Sequence, residues 1–170
     1  MIDLQLADAC FDDDVDEARE LLRSALSHAR DGLEDLRALA AGMHPVILTT
    51  HGLRAATQAL VKQSPFPVAV DVPPDRFPSD REAAAYFFIA EALTNVAKHA
   101  HAATARIHVR RVGDRIEILV EDNGVGGASP DGHGLRGLAD RIEALGGSFT
   151  LESHLSQGTR VRATLPIVNP

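Results

Sequence analysis

An α+β domain behind a helical stub is the fold class this sequence predicts, and three observations predict it. Residues 14–44 carry one long apolar stripe at helical spacing. Residues 105–112 and 115–121 are β-rich segments separated by Gly113-Asp114, a strong hairpin signal. Two further helical patterns, near 79–100 and 135–145, are interleaved with strand patterns from residue 68 onward.

The bulk properties agree with one such domain. At 170 residues the chain has the length of a single domain with an appendage. Apolar residues make up 45% and charged residues 24%, which excludes wholesale disorder. Aromatics are 4% with no Trp, so Ala, Val, Leu and Ile must fill the core. A net charge of −7 argues against a dedicated nucleic-acid or anionic-membrane binder, which needs a basic face. The single cysteine, Cys10, excludes an intramolecular disulfide and any multi-cysteine metal site. No run of 18 apolar residues suggests a membrane span. The first residues lack a signal-peptide pattern, so the expected compartment is cytoplasmic.

In chain order, Val15, Ala18, Leu22, Ala25, Ala29, Gly32, Leu36, Leu39 and Met43 follow a 3-4 spacing, the seam of a bundle or coiled-coil helix. Ile2, Leu4, Leu6 and Cys10 read as the tail of an earlier arm, giving a helical hairpin whose first arm is cut short. The domain division expected is therefore 1–48 for the hairpin remnant and 49–170 for the rest. A helix near 52–63 and a strand at 68–72 follow, punctuated by prolines. Ser79-Asp80-Arg81-Glu82 fits a capping box that opens the helix at 79–100. After the hairpin comes a glycine-rich stretch at 124–137. A short helix then presents Leu135, Leu138, Ile142 and Leu145 on one face and stops at Gly146-Gly147. Strands at 148–154 and 159–165 end the chain.

Three segments carry chemistry. Glu91, Asn95 and Lys98 stand at i, i+4 and i+7 of the second helix, on one face. A carboxylate, an amide and a cation there can activate a water, ligate a cation and meet a phosphate; on spacing alone a solvated polar face is the commoner reading. Glu121-Asp122-Asn123-Gly124-Val125-Gly126-Gly127 closes a strand with a carboxylate and then turns on glycines, where backbone can approach a ligand. Alone, that is also a plain turn. Gly132-His133-Gly134-Leu135-Arg136-Gly137 opens a helix, whose N-terminal amides form an anion site. No Gly-Lys-Ser/Thr excludes a P-loop, and no parallel βαβ unit leads into a dinucleotide fingerprint.

The order of these segments, closed by Gly158-Thr159, resembles the ATP-binding catalytic domain of sensor histidine kinases, within the gyrase, chaperone, kinase and mismatch-repair ATPase superfamily. The wording Glu-Ala-Leu-Thr-Asn-Val-Ala-Lys-His-Ala at 91–100 is similar to the nitrate/nitrite-sensor type. Upstream, Met43-His44-Pro45 and Gly52-Leu53 resemble the end of that family's second dimerisation helix and its link to the ATPase domain. The resemblance implies a Bergerat-type sandwich, a mixed and mostly antiparallel sheet with helices on one face. It implies ATP and Mg²⁺ as ligands. Asn95 would ligate Mg²⁺ and Glu91 would be the catalytic carboxylate. Lys98 and His99 would neutralise phosphate charge. Asp122 would accept the adenine amino group, with Thr159 assisting through water. Gly124 and Gly126 would let the chain pass the base. Gly132, His133, Gly134, Leu135 and Gly137 would form the segment over the triphosphate.

The family's phosphoacceptor is a histidine followed directly by an acidic residue, and none of the eight histidines here has one. The acceptor helix is thus expected on another segment or chain, the protein being a piece of a longer sensor or one half of a split kinase. A response regulator is the expected final recipient. The remaining stripe favours a homodimer, although half a four-helix bundle gives a weak dimer or none. His28 is a remote stand-in for the acceptor. His99, His101 and His108 lack the further ligands of a metal site. Two other readings are a serine/threonine kinase of the anti-sigma-factor type and a non-catalytic ATP-binding signalling module.

Overall fold

A computed structural model describes residues 46–129 and 133–168. The helical-hairpin reading of residues 14–44, Cys10 and His28 lie outside the described residues. The elements are α1 (Val46–Val61), β1 (Val68–Asp71), α2 (Ser79–Asn95), β2 (Ala105–Val112), β3 (Arg115–Asp122), α3 (His133–Ala144), β4 (Ser148–Ser153) and β5 (Thr159–Pro166). The five strands form one sheet in the order β1-β2-β3-β5-β4. Only β1 and β2 run parallel; the other pairs are antiparallel. This is the mixed sheet and α+β class that the sequence predicts.

The strands alternate because one face is buried. Ile107, Val109, Ile116, Ile118, Val120, Val161, Ala163 and Leu165 point into the core and are at most 5% exposed. They meet Phe88, Ile89, Ala92 and Leu93 of α2 and Leu138 and Ile142 of α3. Phe88 and Phe149 meet edge to face at 6.2 Å, joining α2 to β4. The other face carries paired charges: Arg106 and Arg160 both bond Glu121, and Arg110 bonds Glu117. An antiparallel sheet solvated on one side reads this way.

Several elements differ in detail from their expected form. The helix expected at 52–63 runs Val46–Val61 and is broken at Gly52, whose φ of 79° and ψ of −179° are not helical. The capping box does not form. Pro78 takes the N-cap position with no side-chain bond, and its carbonyl accepts the Arg81 and Glu82 amides. Pro78 has no N–H of its own, so Glu82 reaches further back. Its Oε1 accepts the Phe77 amide at 3.1 Å and Arg76 Nε at 2.9 Å. Glu82 is 1% exposed, so this pairing satisfies a buried carboxylate. It also raises the Arg76 guanidinium pKa, first through the hydrogen bond and then through its charge. Arg76 Nη2 in turn bonds the Thr49 carbonyl, tying the first limb of α1 to the start of α2.

The helix expected to run continuously to residue 100 is α-helical only to Asn95. Residues Val96–Ala100 form a π-turn, ended by His101 at φ 48°. Such one-turn π segments occur often at functional sites. The hairpin falls as expected, with Gly113 at φ 61° and Asp114 not left-handed, the sign pattern of a II′ turn.

Two glycines separate the reasons for being glycine. A Cβ at Gly113 would meet nothing, but its φ is left-handed; a Cβ at Gly124 would overlap the Ala100 carbonyl oxygen. Gly113→Asn, a residue that tolerates positive φ, is therefore expected to cost under about 1 kcal/mol. Gly124→Ala is expected to cost about 2 kcal/mol or more by overpacking. Urea unfolding of both variants checks the order.

Candidate active site at the junction of helix and sheet

The site begins where α2 meets the end of β3. The Val125 amide bonds the Ala100 carbonyl at 2.8 Å, and Gly124 passes directly over that carbonyl. Asn123 Oδ1 accepts both the Ala103 and Thr104 amides at 2.9 Å. The Asp122-Asn123-Gly124 turn is thus stitched to the end of the helix segment that precedes β2. Asp122 itself folds Oδ1 back onto the Gly124 amide at 2.7 Å.

Asp122 follows Ile116, Ile118 and Val120 in phase, so it lies on the helix-covered face at the open end of the sheet. Thr159 is in phase with Val161 and Ala163 on the neighbouring strand. The β3–β5 register, Glu121 opposite Arg160, sets Asp122 opposite Thr159 one step on. On the far side Ser153 pairs with Thr159 in register, and their hydroxyls bond at 2.8 Å. Asp122, Thr159 and Ser153 therefore form one polar row across three strands. At that end of the sheet a cavity of about 180 Å³ is lined by Asp122, Gly158 and Thr159 together with Gln157, His154 and the paired Glu121, Glu152 and Arg160, so it opens toward the charged face rather than under the helices. A second, of about 500 Å³, lies on the other side of Asp122 against Val68, Ala69 and Thr104. Neither lining includes Glu91 or Asn95.

The α2 face holds the other half. Glu91 and Asn95 are half-buried, and Asn95 Nδ2 is buried without a hydrogen-bond partner. The start of α3 lies against them. A Cβ on Gly134 would come within 2.9 Å of Glu91 Oε1 and 3.6 Å of Asn95 Oδ1. The structure thus brings Glu91, Asn95 and Gly134 together, with the amide-rich N-terminus of a 12-residue helix at the carboxylate. The π-turn winds wider than an α-helix and rotates Lys98 away from the strict i+7 position. Lys98 and His99 are exposed beside the site.

The remaining expected residues divide. Gly126 is left-handed at φ 64° and lies against the His154 and Gly158 carbonyls, so its missing Cβ serves loop packing in this structure. Leu135 packs partly onto the core. Gly137 is exposed with open space around it. Gly132 and the side chain of His133 lie outside the description. Sequence reasoning missed the clasp of Asn123 and the bridging Ser153.

An orphaned amide on Asn95, a carboxylate beside it and a helix N-terminus facing both suit a phosphate chain with a divalent cation. A family model described as histidine kinase-, DNA gyrase B-, and HSP90-like ATPases matches residues 80–169 of the 170. The chain belongs to this ATPase family. The family's ligand is ATP, as the description implies. Sensor histidine kinase YdfH of Bacillus subtilis is 38% identical over 89 residues, covering 48% of this chain and 22% of the relative. The histidine-protein kinase/phosphatase UhpB of Salmonella typhimurium is 37% identical over 79 residues, covering 45% and 15%. Sensor histidine kinase YxjM of Bacillus subtilis is 24% identical over 159 residues, covering 90% and 39%. The chain thus spans well under half the length of these relatives. Histidine kinase AdeS of Acinetobacter baumannii superposes with a TM-score of 0.59 at 20% identity, over 98% of this chain and 94% of that one. The histidine kinase domain of a blue-light activated kinase from Erythrobacter litoralis gives 0.55 at 19%, over 68% and 57%. These two show the shared fold. Among the described residues no helix is long and apolar enough to cross a membrane.

The unpartnered amide makes a prediction about the ATPase domain without nucleotide. Asn95→Leu keeps the shape and removes a buried unsatisfied donor, so the free protein should be as stable or more stable, by up to about 1–2 kcal/mol. Thermal unfolding without and with ATP checks it. The variant is expected to lose stabilisation by the nucleotide while losing none of its own.

Proposed function

We infer that this domain binds Mg²⁺-ATP and donates its γ-phosphoryl group to a histidine on a dimerisation helix, as the kinase half of a two-component system of the nitrate/nitrite-sensor type. The observation that carries the reading is the meeting of Glu91, Asn95 and Gly134 at one end and the Asp122–Thr159 row at the other. All three curated relatives named above are histidine kinases, which favours this over a serine/threonine kinase or a silent nucleotide sensor.

Each residue then has a task. Asp122 accepts the adenine amino group, and Thr159 assists through water. Asn95 holds the cation, one protein ligand sufficing because Mg²⁺ keeps waters and takes phosphate oxygens. The bound cation supplies neutralisation of phosphate charge. Lys98, His99 and the α3 amides add to it, with Gly134 letting the backbone come close. Glu91 polarises the attacking imidazole and receives its proton as the phosphorus–nitrogen bond forms and the bond to the ADP oxygen breaks. Positioning and charge stabilisation make up most of such catalysis.

The partners proposed are a phosphoacceptor helix, a response regulator and a second copy of the chain, with the hairpin remnant at 1–48 as the dimer contact and the cytoplasm as the site of action. The test adds a histidine-bearing dimerisation segment of this kinase type and γ-labelled ATP. Acid-labile label on that segment is expected; acid-stable label on serine or threonine, or binding without transfer, overturns the reading. Asp122→Ala should weaken ATP binding at least 100-fold, in line with losing a buried charged hydrogen bond. Glu91→Gln should leave affinity within about threefold yet lower transfer by two or more orders of magnitude. Calorimetry and the labelling assay read the two separately.

A further inference from the structure

The segment that leads from the π-turn into β2 is irregular and strained. His101 stands at φ 48°, a left-handed conformation that is costly for a residue with a side chain. Such a residue persists only where its surroundings fix it. Here residues 123–125 fix it through four hydrogen bonds. The Val125 amide donates to the Ala100 carbonyl at 2.8 Å, and the Asn123 amide to the Thr104 carbonyl at 3.3 Å. The Ala103 and Thr104 amides both donate to Asn123 Oδ1 at 2.9 Å. Backbone N–H groups only donate, so the oxygen of the Asn123 side chain, not its nitrogen, faces them. Half of this clasp therefore hangs on one side-chain atom.

Those bonds join the two halves of the site. Asp122 directly precedes Asn123 at the end of β3. Asn95 directly precedes the five-residue π-turn that ends at Ala100. A ligand that meets Asp122 with its base and Asn95 with a phosphate-bound cation depends on the separation of the two. The Val125–Ala100 bond is one point of attachment, about which the helix end can pivot. The Asn123 bonds, a few residues further along the loop, add the second point and fix the orientation.

We propose that Asn123 is a positioning residue that couples the two halves, so that base and phosphate contacts reinforce each other on one nucleotide. The proposal rests on the reading of Asp122 and Asn95 as the base and cation ligands. With the clasp closed, the separation of the halves is set before the ligand arrives, and binding carries no ordering cost for it. Without the Asn123 oxygen the loop relaxes out of its left-handed turn. A ligand that spans both halves must then restore the geometry as it binds. A ligand that reaches one half does not. The requirement on position 123 is an acceptor for two amides, so a carboxylate of the same length meets it as well as the amide does.

The experiment is a competition titration of the full chain against a fluorescent ATP analogue at fixed Mg²⁺, with ATP and with adenosine, which carries the base and no phosphate. The parent is expected to bind both, ATP more tightly. Asn123→Ala should weaken ATP roughly five- to tenfold, the scale of one neutral hydrogen bond, and leave adenosine within about twofold. The ratio of the two affinities then falls by nearly the whole factor. Asn123→Asp keeps the acceptor and should keep the ratio within about twofold. Asn123→Ser, with its oxygen on a shorter arm, should lower the ratio too and carries the test if the alanine variant does not fold. An equal loss for both ligands, a loss in the aspartate variant as large as in alanine, or an unchanged ratio in alanine and serine overturns the proposal and leaves Asn123 a structural residue. A parent that binds ATP but no adenosine has no base half that acts alone, and overturns it as well. A parent that binds neither ligand overturns the reading of the site itself, before any variant is compared.

Discussion

The hydrogen bond from the Val125 amide to the Ala100 carbonyl, made under a glycine, is the constraint on which the site depends. It fixes the far end of α2 to the far end of β3. Every distance between the α2 face and the sheet row follows from that junction. Gly124 is needed because any side chain would overlap the carbonyl that the bond uses. Asn123 reinforces it by binding two amides of the loop that leads from the helix into β2. The acidic residue at the strand end is thus held between two glycine-dependent contacts, since Gly158 also packs against the Asp122 carbonyl.

The fold separates two kinds of recognition. The sheet end offers rigid polar groups in register: a carboxylate and two hydroxyls on three neighbouring strands. Such groups suit a flat base with a fixed edge. The helix side offers an amide, a carboxylate and the N-terminus of α3, which suit diffuse negative charge. The core between them is apolar, with Ile107, Ile116, Ile118 and Leu165 fully buried. Preorganised groups on a rigid support are what electrostatic catalysis needs. The opposite sheet face carries the ion pairs of Glu121 and Glu117, which keep it solvated.

Much of this was legible in the sequence, and the rest was not for physical reasons. Alternation around Gly113-Asp114 gave the hairpin because side chains on one strand point to opposite faces. Glu91, Asn95 and Asp122 were singled out by the order of three motifs, none specific alone. The expected helix started at Gly52, and the limb before the break went unseen because Val46, Ile47, Thr49 and Thr50 are β-branched and weak helix formers. The π-turn after Asn95 was equally silent, since Val-Ala-Lys-His-Ala is compatible with either winding. Asn123 and Ser153 act on backbone amides 19–25 residues away, and such contacts write no local pattern. The capping box misled because Pro78, not Ser79, took the N-cap position, and a proline there has no N–H for Glu82 to meet.

The central claim is that the sheet row and the α2 face form one nucleotide site. A heteronuclear NMR titration of the chain with Mg²⁺-ATP tests it most directly. Amides at Asp122, Gly124 and Thr159, and those at Asn95 and Gly134 with the Asn95 side-chain amide, should shift together along one binding curve. Shifts confined to one group, or two groups titrating at different ATP concentrations, would contradict it.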